Sequence, residues 1–189
     1  LSQGNLDNVR LFWAPGERSS LEQVAVTQSA VYLSVLEDVN TKLYKWVLED
    51  TGNGEDAWSS GDVPLPGTGT ARIVSAYPSS DTVFINFESF TTPDQLLVAA
   101  DNDDARQDES TSWQAPRLID SLPARFNADD TKVQQLLATS KDGTQVPYFL
   151  ITPKGHSANG QTPTLLYGYG GFEISLTPSY RATYGKLWL

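Results

Sequence analysis

A tyrosine hydroxyl carried on a glycine-rich turn can donate a hydrogen bond to a carbonyl oxygen that is gaining negative charge. Residues 165–172, LLYGYGGF, hold the parts of such a device. Tyr167 and Tyr169 alternate with Gly168 and Gly170, Gly171 follows, and Phe172 closes the stretch. Glycine admits unusual backbone angles and keeps Cβ atoms away from an approaching ligand. The same pattern also suits an aromatic-stacked turn with no role in chemistry, and such turns are frequent in β proteins. From the residues alone both readings stand.

No other chemistry is singled out. A serine nucleophile needs a base, and His156 is the one histidine, lying in the polar loop HSANGQ (156–161) and expected to be exposed. The chain has no G-x-S-x-G elbow and no cysteine. One histidine and scattered carboxylates make no metal-ligand cluster, so no metal or cofactor is expected. Asp101, Asp103, Asp104 and Asp108 lack the spacing of a calcium loop, and their stretch reads as solvated. Carboxylate pairs for glycoside hydrolysis come from distant positions, and nothing marks one. GYGGFE is not a dinucleotide loop, because Glu173 stands where the third glycine would fall.

The elements that would position these residues change character along the chain. The segments 23–27, 30–37 and 42–49, then 71–77, 82–90 and 95–101, are short, apolar and partly alternating, with breakers between them. They read as β-strands in two triplets, spaced like blades of a propeller. The stretch 101–130 is acidic and reads as a long connection. Residues 133–155 are two apolar runs around KDGT, a hairpin signal. Residues 164–172 form a continuous apolar run that ends in glycine, as in a strand buried on both faces. The architecture is therefore expected to change near residue 130.

Composition bounds the rest. The 189 residues are 39% hydrophobic and 19% charged, which predicts a folded chain rather than disorder. A net charge of −10 disfavours nucleic acid as a partner. No apolar run is long enough to span a membrane. The absence of cysteine is compatible with cytosol and periplasm alike. The chain has no Met, begins at Leu1 and ends on an apolar run, so a piece of a longer protein is expected.

SKDGTQVPYFLITPKG (140–155), followed by LLYGYGGFEISLTPSY (165–180), resembles the prolyl oligopeptidase family of serine peptidases. Residues 20–46 and 88–97 resemble that family's last two propeller blades. The resemblance implies a mainly β chain: residues 1–130 as the C-terminal part of a β-propeller, and residues 131–189 as the first strands of an α/β-hydrolase domain. It implies a Ser-Asp-His enzyme that cleaves short peptides after proline. Tyr169 would supply the oxyanion-hole side chain, Phe172 would line the substrate pocket, and Gly170 and Gly171 would shape the turn. The nucleophile, Asp and His of the family follow this motif, so none falls in this stretch and His156 is not the triad histidine. The expected partners are a short peptide and the remainder of the polypeptide or a complementing chain, with neither nucleic acid nor membrane. A non-catalytic β-rich binding module, using the five Trp and eight Tyr, and a pseudoenzyme scaffold are the alternatives.

Overall fold

The computed structural model describes residue 9 and residues 11–50, 56–100 and 113–189. The carboxylate run 101–108 lies outside the described residues.

Two four-stranded antiparallel sheets follow one another along the chain. The first has the order β1 (Ser19–Val26), β2 (Ala30–Glu37), β3 (Asn40–Asp50) and β4 (Asp56–Asp62). The second repeats that up-and-down order with β5 (Thr70–Tyr77), β6 (Ser80–Glu88), β7 (Gln95–Ala99) and β8 (Arg117–Ser121). The central strands are the alternating, β-branched and aromatic segments that favour a pleated, half-buried surface. Each sheet also has an outer strand that the sequence pattern does not show. Residues 56–62 and 117–121 are mostly polar, and 117–121 falls within the expected connection. They are strands because β3 and β7 offer them a ladder.

The sheets bury their facing surfaces against each other. Tyr32 and Leu43 of the first meet Ala71, Val83, Ile85, Phe87 and Leu97 of the second, with Val63 and Trp113 in the same core. Hydrogen bonds stitch the seam where β5 would otherwise present a bare edge. The Gln23 side-chain amide donates to the Ile73 carbonyl at 3.2 Å and accepts the Ile73 N–H at 2.9 Å, beside the β5 bulge. Thr41 Oγ1 accepts the Ala71 N–H at 3.0 Å, and Asp81 accepts from the Ser29 N–H at 2.7 Å and the Ser29 hydroxyl at 2.8 Å. The Trp113 indole N–H donates to the Lys45 carbonyl at 3.1 Å, and the Lys45 ammonium lies 4.7 Å from the Trp113 ring centre. A smaller cluster of Leu33, Val35 and Trp46 covers the other face of the first sheet.

A separate two-stranded sheet begins at Thr131. Strands β9 (Thr131–Thr139) and β10 (Gln145–Pro153) flank the expected KDGT turn, where Gly143 has φ +89°. Gln135 of β9 docks on the β2–β3 turn, donating to the Asp38 carbonyl and accepting from the Asn40 side chain. Phe149 of β10 meets Phe90 edge-on at 5.0 Å.

The expected strand over 164–172 does not form. These residues run as irregular, largely exposed chain and, among the described residues, pair with no strand, so the burial on both faces that such a strand needs is missing here. One short helix, α1 (Ala182–Leu187), follows.

Candidate functional site

The glycine-aromatic stretch forms a tight turn. The Ile174 N–H donates to the Gly171 carbonyl at 3.2 Å, and Phe172 and Glu173 both have positive φ, +55° and +57°. Non-glycine residues adopt that region at a cost, so this is a strained turn. Phe172 projects outward and is 91% exposed. Tyr169 is 48% exposed, and its ring folds back over Gly171, where an added Cβ would sit 2.9 Å from the phenol oxygen. A side chain at 171 would make the Tyr169 phenol shift from this position. Gly170 has open space around it.

The turn hangs between two supports. Arg181 places its guanidinium 5.1 Å from the Tyr167 ring and 5.5 Å from the Tyr184 ring, a cation–π bridge from the residues before the turn to α1. Below it, residues 178–180 are seated on the end of the second sheet. Pro178 is fully buried, and its carbonyl accepts the Thr70 hydroxyl at 2.6 Å. The Tyr180 N–H donates to a Glu88 carboxylate oxygen at 2.8 Å. The Tyr180 phenol oxygen accepts the Arg125 N–H at 2.7 Å, and its ring stacks on Phe126 at 5.2 Å. Sequence reasoning missed Thr70, Glu88 and Phe126, because single residues far apart in the chain carry no local signal of this meeting.

His156 is exposed in its loop, as expected, with its backbone N–H donating to the Pro153 carbonyl at 3.2 Å. Among the described residues, no group of three or more His, Asp or Glu is placed to hold a metal. Among the described residues no helix is long and apolar enough to cross a membrane. A cavity of about 230 Å³ opens between the second sheet's loops and β9, lined by Phe87, Phe90, Val133 and Gln135 among others. Neither Tyr169 nor Phe172 lines it.

Repeated four-stranded antiparallel sheets packed face to face are the unit of a propeller. Residues 10–114 match the family profile described as the prolyl oligopeptidase N-terminal β-propeller domain. The chain belongs to the prolyl oligopeptidase family. An uncharacterized peptidase y4nA of Sinorhizobium fredii is 38% identical over 179 residues, which are 95% of this chain and 23% of that protein. The prolyl endopeptidase of Elizabethkingia miricola is 29% identical over 128 residues, covering 68% of this chain and 17% of its own length. A solved prolyl endopeptidase structure superposes with a TM-score of 0.70 at 27% identity, over 90% of this chain and 23% of that one. The chain therefore spans under a quarter of the length of these relatives.

Proposed function

We propose that this chain is part of a serine-type oligopeptidase that cleaves short peptides after proline. Residues 1–130 contribute the last two propeller blades, and residues 131–189 begin the α/β-hydrolase domain. Support for that division comes from where the similarities end. The propeller profile stops at residue 114, while the likeness to the Sinorhizobium peptidase runs over 95% of the chain.

In this reading the Tyr169 hydroxyl donates to the oxygen of the tetrahedral intermediate, and the exposed Phe172 ring packs on the substrate. Gly171 leaves room for the Tyr169 ring beside the turn. The carrying observation is that an exposed tyrosine and an exposed phenylalanine share one glycine turn in a chain of this family. The Ser, Asp and His come from the remainder of the polypeptide, since this stretch has no G-x-S-x-G elbow and the acid and base follow the nucleophile in α/β-hydrolases.

The test is turnover of paired aryl-amide substrates by the full-length protein. Release from a Gly-Pro substrate at a far higher kcat/KM than from a Gly-Ala substrate is expected, with none from residues 1–189 alone. Equal rates on the two substrates, or hydrolysis by a pure 189-residue sample, would contradict the proposal.

A further inference from the structure

We propose that Thr70, Glu88 and Phe126 form a clamp on residues 178–185 that acts as a positioning device for the Tyr167–Phe172 turn. The inference rests on the proposed catalytic reading of Tyr169 and adds residues from outside the turn to it.

The contacts run without a gap from the second sheet to the turn. Thr70 opens β5 and Glu88 closes β6, and these two residues are paired across the ladder. Their side chains take one acceptor and one donor of the same short segment: the Pro178 carbonyl at 2.6 Å and the Tyr180 N–H at 2.8 Å. Pro178 between them is fully buried, so the segment is seated in the sheet's end rather than lying over it. Phe126 closes the other side. Its ring lies parallel to that of Tyr180, at 9°, and so close over Gly185 that an added Cβ would meet it at 2.1 Å. Only glycine lets α1 approach Phe126 in this way. From the clamped segment Arg181 reaches the Tyr167 ring, two residues before Tyr169. The anchorage thus meets the chain at Tyr167 and restrains Tyr169 through the two residues of backbone between them.

A hydroxyl that must sit within hydrogen-bond reach of a transient oxygen is sensitive to small displacements. Loosening the clamp in the full-length enzyme is therefore expected to lower kcat and leave KM nearly unchanged. Glu88→Ala removes the acceptor for Tyr180, Glu88→Gln retains one, and Thr70→Val removes the hydroxyl at nearly constant shape. Glu88→Ala and Thr70→Val should each lower kcat by up to about 10²-fold, which a misplacement of about 1 Å can cost, while Glu88→Gln restores most of it. In a Tyr169→Phe background the same substitutions should cost less than about twofold, since coupled residues are non-additive.

Hydrogen exchange over residues 176–185 reads the clamp independently of activity, and Glu88→Ala should raise it locally. Unchanged exchange there would overturn the clamp itself. Raised exchange with an unchanged kcat, in an enzyme that Tyr169→Phe does impair, would overturn the positioning role alone. If Tyr169→Phe leaves kcat intact, the catalytic reading falls and takes the positioning role with it.

Discussion

Asp142 sits exposed in the β9–β10 turn, and its carboxyl is held below the ordinary aspartate range. The main cause is the hydrogen bond it accepts from the Thr144 N–H at 3.0 Å, with the Ser140 side chain adding to it. A depressed carboxylate pKa contributes stability that is present above the unfolded value. That contribution is lost as pH falls through the folded value. An NMR titration should give Asp142 a midpoint below that of a peptide aspartate, and Asp142→Asn should remove the turn's loosening in acid. A midpoint at the peptide value would contradict the bonded turn. At this scale the KDGT turn was legible, because only glycine accommodates φ +89° cheaply. The positive φ of Val39 was not, since a β-branched residue gives no hint that it will be forced left-handed. The strain at Phe172 and Glu173 was equally silent in the sequence.

Among the elements, strands with alternating apolar residues could be read directly, and β2, β3, β6 and β7 fell close to where the pattern put them. Strands made by pairing rather than by composition could not. Asp56–Asp62 and Arg117–Ser121 are polar outer strands whose only reason to extend is the neighbour they bond. The converse error is the 164–172 run, apolar enough for a buried strand but left exposed and unpaired among the described residues. Gly69, at the entry to β5, tests the packing between elements. A Cβ there would stand 2.4 Å from the Glu88 carbonyl oxygen and 2.6 Å from the Phe87 ring, and the Gly69 carbonyl already accepts the Thr41 N–H at 3.1 Å. Gly69→Ala must push backbone as well as ring aside. It is expected to destabilise the fold by about 1–3 kcal/mol, read as a lower denaturation midpoint; an unchanged midpoint would mean that β5 and β6 are looser than described.

Over the whole molecule, the family and its propeller sheets were legible because strand spacing and two specific motifs agreed. The anchorage of the turn was not, because it joins Thr70 and Glu88 to residues about 90–110 positions later. The molecule also carries apolar surface on its outer parts. Leu11, Leu166, Phe172 and Leu187 are all exposed, and the edge strands offer unpaired backbone. Residues 1–189 alone are expected to self-associate in a sedimentation experiment; a clean monomer with well-dispersed NMR peaks would contradict that.

The proposed role of Tyr169 places its hydroxyl in a peptidase active site completed by other parts of the polypeptide. The most direct measurement is kcat on a Gly-Pro aryl substrate for the full-length protein and its Tyr169→Phe variant, which deletes one oxygen and keeps the ring. Loss of one oxyanion donor corresponds to about 2.7–4 kcal/mol, or about 10²–10³ in kcat, with KM little changed. A Tyr169→Phe enzyme that turns over at the wild-type rate would contradict the account.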